Sequence, residues 1–163
     1  MKLAEALAER ADVQTRLRIL SDRLNRTVLV QEGDEPAENP ITIIREADAL
    51  TKRLEWLIRA INHTNAVTPM ANGPSEGAAQ LSTITDAIAA RDIAKRETQF
   101  FLSAAEAAAP EFGRYSRAEI RSIPTIPVKE LRQRADAAAK RYRELDTRIQ
   151  AMNWNVDLIE PAS

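Results

Sequence analysis

The chain contains one histidine, His63, and no cysteine. Histidine is the side chain whose unperturbed pKa lies nearest neutral pH, so His63 is the first candidate for a proton-transfer role. It lies near the predicted end of a helix, where a histidine ordinarily interacts with the helix dipole. Catalysis by His63 and a purely electrostatic role therefore both remain open.

Two arginines, Arg10 and Arg91, interrupt otherwise apolar helical patterns. A guanidinium group that is buried in such a seam needs a carboxylate or an anionic ligand beside it. The alternative is that each side chain reaches solvent or pairs with Asp or Glu and fixes the helix register. The two arginines thus predict either an anion site or structural ion pairs.

Glu5 and Glu9 lie one helical turn apart, so their carboxylates repel each other. Together with His63 or Asp157 they could form an oxygen-rich site for a divalent cation. However, the chain lacks the Glu-x-x-His motif of di-iron bundles, and it has no phosphate-binding glycine loop or nucleophile elbow. We therefore predict no catalytic residue, no metal and no cofactor.

Four long segments without Pro or Gly must position these residues. All eight prolines and all four glycines fall in three windows and the last few residues. Because Pro and Gly are the residues that helices tolerate least, the stretches between the windows predict four helices of nearly equal length. These stretches are Met1 to Glu32, Ile41 to Thr68, Ala78 to Ala109 and Val128 to Glu160.

Apolar residues recur at alternating spacings of three and four, most regularly in the second and fourth stretches. This pattern predicts an all-α fold in which four helices form an antiparallel up-down-up-down, coiled-coil-like bundle, with residues 1–163 as a single domain. Two β-favouring runs, residues 27–31 and 122–126, lie at one end of such a bundle, and we expect them to form a short two-stranded pairing.

The opposite end of the predicted bundle is its most polar region. The starts of the first and third helices meet the ends of the second and fourth there. A small ligand would bind at this end. The candidate ligand-binding residues are Arg10, Arg91, Glu5, Glu9, His63, Asn65, Asn153 and Asp157.

Three aromatic residues predict a contact surface. Trp56 lies at a heptad position that points away from the seam of its own helix pair. Phe100 and Phe101 are adjacent, so both cannot face one narrow seam. We interpret Trp56, Phe100 and Phe101 as interface residues of a homo-oligomer or of a complex with a protein partner.

Composition narrows the classes of function. Acidic and basic residues nearly balance at a net charge of −1, which argues against a dedicated nucleic-acid-binding protein. Charged residues appear within the first dozen positions, and no stretch approaches the ~18 consecutive apolar residues of a spanning helix. We expect a cytoplasmic protein without a membrane partner.

Several motifs carry a resemblance to a known family. They include the opening residues 1–11, Val30-Gln31-Glu32-Gly33, Ile61-Asn62-His63-Thr64-Asn65, Tyr115-Ser116-Arg117, and Leu145 to Gln150 followed by Asn153-Trp154. In these motifs the chain resembles a family of small uncharacterised bacterial helical proteins, some of whose members are labelled septicolysin. The label implies membrane lysis, whereas the family has no established activity and supplies no site residue.

The sequence therefore favours a non-enzymatic, oligomeric helical scaffold or protein-interaction module. The alternative is a small-ligand or anion-binding protein, or an enzyme, that uses the polar end of the bundle. Membrane activity, as the septicolysin label implies, is a third class.

Overall fold

A computed structural model describes residues 1–70, 83–109 and 123–160. Four helices account for most of these residues, which confirms the all-α fold class predicted from the Pro and Gly windows. The helices are α1 (Leu3–Thr27), α2 (Pro40–Val67), α3 (Ile84–Ala108) and α4 (Val128–Asn155).

The chain divides into two compact units. The first, the α1–α2 unit, comprises Met1–Thr68 together with Met152–Ser163, and the second, the α3–α4 unit, comprises Pro69–Ala151. The last turn of α4 thus belongs to the α1–α2 unit, although most of that helix belongs to the other. The prediction of a single domain over the whole chain stays a prediction.

In the α1–α2 unit, α1 and α2 run antiparallel. Ion pairs join the two helices and the segment just before α2 at steps of about seven residues, the length of two helical turns. The pairs are Glu9–Arg53, Arg16–Glu46 and Arg23–Glu38. Because the residue numbers rise along α1 while they fall along its partner, the pairs also fix the register between the two helices.

Local signals set the ends of these two helices. Asn39 caps α2, since its Oδ1 accepts a hydrogen bond from the Ile41 N–H at 2.9 Å, and Pro40 takes the first helical position. Gly33, in the turn between α1 and α2, has a φ of 95°, which favours glycine at that position.

The α3–α4 unit repeats the antiparallel arrangement with different residues. Contacts between α3 and α4 occur at Arg91–Asp146, Glu97–Arg141 and Phe101–Arg134. The N-terminus of α3 is a capping box, in which the Thr83 hydroxyl accepts from the Asp86 N–H and the Asp86 carboxylate accepts from the Thr83 N–H.

The two units have different buried residues. In the α1–α2 unit they are mainly branched aliphatics, such as Leu20, Ile43 and Leu57, which are at most 3% exposed. In the α3–α4 unit half of the buried apolar residues that the structure describes are alanines: Ala87, Ala94, Ala105, Ala135 and Ala138. Small side chains let two helix backbones approach closely.

The predicted β pairing between residues 27–31 and 122–126 does not form in the part of the chain that the structure describes; residue 122 lies outside it. Thr27 belongs to the last turn of α1, where its hydroxyl donates to the carbonyls of Arg23 and Leu24. The Val28 N–H also bonds back to Leu24 O at 3.0 Å. The Val28 N–H is therefore not available to a neighbouring strand, and residues 28–31 and 123–126 have no strand structure.

Candidate functional site

The N- and C-terminal segments of the α1–α2 unit are joined to each other. The Leu3 N–H donates to Val156 O and the Leu158 N–H donates to Met1 O, each at 2.9 Å. Between them, Lys2 Nζ forms a 2.9 Å ion pair with Asp157. The hydrogen bond from Lys2 lowers the pKa of Asp157. Asp157, a predicted ligand-binding residue, thus takes part in a contact that joins the N-terminal and C-terminal segments to each other.

The other acidic candidates in this unit are also engaged by basic or backbone groups. Glu5 is exposed and accepts a 2.7 Å hydrogen bond from the Lys2 N–H at the start of α1. Glu9 forms a two-point pair with Arg53, in which Nε donates to Oε1 at 2.7 Å and Nη2 to Oε2 at 2.8 Å. Both Glu9 oxygens are therefore occupied by a cation of the chain itself.

Arg53 joins this carboxylate to an aromatic ring, and sequence reasoning did not identify it. Its Cζ lies 4.4 Å from the centroid of the Trp56 ring, three residues further along α2. This is the geometry of a cation–π contact. The hydrogen bond with Glu9 raises the pKa of Arg53 and lowers the pKa of Glu9. Trp56, a predicted interface residue, is consequently half-buried rather than open.

Arg10 and Arg91 lie in different units and have different surroundings. Arg91 donates to Asp92 at 2.8 Å and to Asp146 at 3.4 Å, and the hydrogen bond to Asp92 is the main cause of its raised pKa. Its environment matches the structural ion pair that was the alternative to an anion site. Arg10 is half-buried, and its Nε is buried without a hydrogen-bond partner among the residues that the structure describes.

The remaining polar candidates do not form a metal site. His63 is exposed, Asn65 is half-buried and Asn153 is buried. Across the described ranges, no three His, Cys, Asp or Glu side chains are grouped so that they could hold a metal ion. Their roles in ligand binding stay predictions.

A buried threonine between His63 and Asn65 has a structural role that the sequence pattern did not reveal. The Thr64 hydroxyl is fully buried; it donates to Ala60 O at 2.7 Å and accepts from the Ile159 N–H at 2.9 Å. It therefore attaches the C-terminal segment to α2. A threonine hydroxyl that bonds back four residues is common in helices, so nothing in the sequence marks Thr64 as different.

The third predicted contact region lies on α3. Phe100 is 70% exposed, whereas Phe101 is half-buried and lies beneath the Arg134 guanidinium, 5.6 Å from its ring centroid. The two rings meet edge to face, with their centroids 5.3 Å apart. The adjacent phenylalanines therefore face different directions, as their spacing predicts, and Phe100 is the outward one.

Phe100 belongs to an exposed row of residues at heptad spacing, which we call the α3 outer seam. All six of its members are exposed: Ala89, Ile93, Arg96, Phe100, Ser103 and Ala107. A shallow groove of about 460 Å³ lies at its middle, lined by Ile93, Arg96, Phe100 and the flanking Glu97 and Phe101. Ile93 is 53% exposed, so two large apolar side chains one heptad apart are open on this face.

Sequence reasoning also missed Trp154, which is 66% exposed near the end of α4. The sequence signal for its exposure was its position two residues after Met152, the last residue of the apolar α4 pattern.

Within the described segments, no helix is both long enough and apolar enough to cross a membrane. The predicted cytoplasmic location stays a prediction.

Comparisons with known proteins support the fold but supply no activity. No curated protein matches the chain. A solved structure that is similar is described as the crystal structure of a functionally unknown conserved protein from Corynebacterium diphtheriae. It shares 41% sequence identity with a TM-score of 0.84, and the match covers 98% of this chain and 99% of that one.

A family model described as a family of unknown function, DUF6847, matches residues 10–158. Neither this description nor that of the similar structure carries the septicolysin label, so the membrane activity that the label implies rests on the sequence resemblance alone. The match covers α2, α3 and α4 in full and most of α1. The chain therefore belongs to the family of unknown function DUF6847.

Proposed function

We propose that the chain is a non-enzymatic helical scaffold or protein-interaction module whose contact surface is the α3 outer seam. The observation that carries this proposal is the exposure of Phe100 and Ile93, one heptad apart, on a helix that already packs its opposite face. Large aromatic side chains are enriched at protein interfaces. An apolar row at heptad spacing is the surface that a partner helix recognises.

The contacts of the charged candidate residues favour a binding function over catalysis. Glu9, Arg91 and Asp157 each have an oppositely charged partner within the chain. A group that transfers protons or holds a substrate needs access to that substrate, whereas these groups contact each other. On α3, by contrast, the exposed side chains of Ile93 and Phe100 are large and apolar and are open to a partner.

Site-specific photocrosslinking tests the proposal. Phe100 is replaced by the photoreactive aromatic residue benzoylphenylalanine in cells that produce the chain, and we expect one discrete covalent adduct after irradiation. Adding the Ile93→Ser substitution should abolish the adduct, because the apolar row is interrupted. Ile19, which is 51% exposed on α1, provides the control position.

The pattern of adducts decides the outcome. An adduct from position 100 that depends on Ile93 supports a contact surface on α3. If position 100 gives no adduct, or if position 19 gives the same adduct as position 100, then the α3 outer seam is not the contact surface and the proposal fails.

A second candidate function is the binding of a small anion at Arg10. It is favoured by the buried Nε of Arg10, which has no hydrogen-bond partner among the residues described. Such a group is expected to acquire an acceptor. Inorganic phosphate should then raise the melting temperature, and Arg10→Leu should remove that rise while Arg18→Leu, an exposed control on α1, retains it. An equal rise in the wild type and in Arg10→Leu would exclude this site.

A further inference from the structure

The chain pairs its helices by one repeated combination of side chains: an arginine that contacts both an aromatic ring and a carboxylate. In the α1–α2 unit, Arg53 lies over the Trp56 ring and binds Glu9 on the neighbouring helix. The guanidinium covers the ring face and neutralises the acid at once. An arginine is suited to this because its planar group both stacks and donates in two directions.

The α3–α4 unit uses the same combination. Arg134 of α4 lies over the Phe101 ring of α3 and pairs with Glu130. These contacts involve the side of α3 that faces α4. Each helix pair therefore contains an arginine that contacts a ring and a carboxylate, although the contact between helices is the ion pair in the α1–α2 unit and the ring contact in the α3–α4 unit.

A third set of these residue types lies on the α3 outer seam without a partner helix. Arg96 is exposed, and among the residues described it has no ion-pair partner. Phe100 follows it by four residues and is 70% exposed. Glu97 is next to both; its carboxylate binds Arg141 and retains acceptor capacity, since a carboxylate has about four acceptor sites.

We propose that the partner of the α3 outer seam is a second copy of this chain, bound through an antiparallel, two-fold symmetric pairing of the two α3 helices. This inference rests on the proposed function, because it names the partner of the same surface. A two-fold interface must be self-complementary: if residue i of one copy contacts residue j of the other, then residue j of the first copy contacts residue i of the second. The α3 outer seam satisfies this condition when the axis crosses the seam face at the height of residue 98 along the helix.

In that register the residues of the seam match in size and charge. Arg96 of each copy lies opposite Phe100 of the second copy, within reach of the second copy's Glu97. Ile93 lies opposite Ser103, and Ala89 lies opposite Ala107. These facing pairs follow one another at alternating spacings of three and four residues, as between antiparallel coiled-coil helices. They extend over about 27 Å of helix. A parallel pairing would instead place the two Arg96 side chains against each other.

Sedimentation equilibrium provides the first test. The wild-type chain should have the mass of two chains at micromolar concentration. Arg96→Glu removes the stacking cation and adds a like charge beside Glu97, so it should weaken the dimer at least about tenfold in Kd. Lys52→Glu, the same charge change at an exposed position of α2, should leave the mass unchanged.

Cross-linking between single introduced cysteines tests the direction of pairing. Because the chain has no natural cysteine, no other thiol can react. In the antiparallel register two copies of position 99 lie beside the axis, whereas two copies of position 107 are about 27 Å apart along it. A short bis-maleimide should therefore join Gln99→Cys chains and not Ala107→Cys chains. Both positions are exposed, so their reactivities are comparable.

The outcomes separate this inference from the proposed function. A wild-type chain that stays monomeric, or an Ala107→Cys variant that cross-links as well as Gln99→Cys, overturns the two-fold antiparallel pairing. If the chain is monomeric while position 100 still crosslinks to a different protein, the interaction module stands and the second copy is not its partner. If the chain is monomeric and position 100 gives no adduct, both proposals fail.

Discussion

Aromatic rings on two helices, α2 and α3, differ in what covers them. In the α1–α2 unit, the Trp56 ring lies beneath the guanidinium of Arg53, which Glu9 holds in place. In the α3–α4 unit, Arg134 of α4 lies over Phe101 at 5.6 Å, but the adjacent Phe100 is 70% exposed. An outward aromatic residue in the heptad pattern is therefore not by itself evidence of a contact surface. It becomes so where no cation among the described residues covers the ring, as at Phe100.

The two units also differ in how their interiors are filled. The α1–α2 unit buries branched aliphatic side chains and closes its ends with the Lys2–Asp157 pair and the Thr64 hydrogen bonds. The α3–α4 unit buries many alanines and leaves a second apolar row open. The first unit exposes large apolar residues too, such as Ile19 and Ile41, so the proposed contact surface rests on the spacing of Ile93 and Phe100 on one helix face and not on exposure alone.

The largest effect is expected from a cavity in the α1–α2 unit. Leu57→Ala removes a side chain with no solvent exposure, and it should lower the free energy of unfolding by about 2–5 kcal/mol. Ile58→Ala, at the neighbouring position with 38% exposure, should have a much smaller effect. Urea denaturation of both variants measures the difference. Equal effects would mean that Leu57 is not a principal core residue.

Overpacking should be the sensitive change in the α3–α4 unit. Ala94 is fully buried in an alanine-rich interior, so Ala94→Leu should destabilise by about 1–3 kcal/mol because the added atoms have no space. Ala137→Leu, on the exposed side of α4, serves as the control and should be nearly neutral. A stabilising Ala94→Leu would reveal unfilled space and contradict the close packing.

Loss of one hydroxyl should release the C-terminal segment. Thr64→Val keeps the side-chain volume but leaves the Ile159 N–H without its acceptor, and it should reduce stability by about 1–2 kcal/mol. Amide hydrogen exchange at Ile159 should accelerate as well. Thr51→Val is the matched control, since the Thr51 hydroxyl makes the same bond to the carbonyl four residues before it but is exposed. Unchanged exchange at Ile159 would contradict the attachment.

The smallest effect concerns the Arg53–Glu9 pair, which is partly exposed and therefore screened by solvent. Arg53→Met should lower stability by about 0.5–1 kcal/mol at neutral pH and change Trp56 fluorescence. Arg16→Met should have no measurable effect, because the Arg16–Glu46 distance is 3.9 Å and both side chains are exposed.

The same pair predicts a pH dependence. The pKa of Glu9 is lowered in the folded chain, so its stabilisation is present above the ordinary Glu pKa of about 4.3 and is lost as the pH falls through the lower folded value. The stability difference between the wild type and Arg53→Met should therefore shrink on acidification through this range. A difference that persists unchanged in strong acid would show that Arg53 stabilises the fold through its contact with Trp56 and its packing, and not through Glu9.

The Pro and Gly windows predicted the four helices and most of their limits. The fourth stretch predicted from Val128 does begin there, and the second begins one residue earlier than predicted, at Pro40. The apolar spacing also identified buried positions such as Ile43, Leu57 and Leu131. These features depend on local preference and periodicity, which are properties that a sequence displays directly.

Features that depend on the register between helices were not predictable. Arg91 binds its neighbour Asp92 and also Asp146, which is 55 positions away on α4. The Arg53–Glu9 pair joins residues 44 positions apart, and only the antiparallel alignment of α1 and α2 brings them together. The choice of Phe100 over Phe101 as the outward ring likewise required the rotation of α3 against α4.

The most direct test of the contrast between the two units compares equivalent isoleucines by sedimentation equilibrium. Ile93 on α3 and Ile19 on α1 are 53% and 51% exposed, so replacing either by serine removes a similar apolar surface. The account predicts that the wild type and Ile19→Ser have the mass of two chains, and that Ile93→Ser has the mass of one. It would be contradicted if Ile93→Ser remained a dimer, or if the two variants dissociated equally.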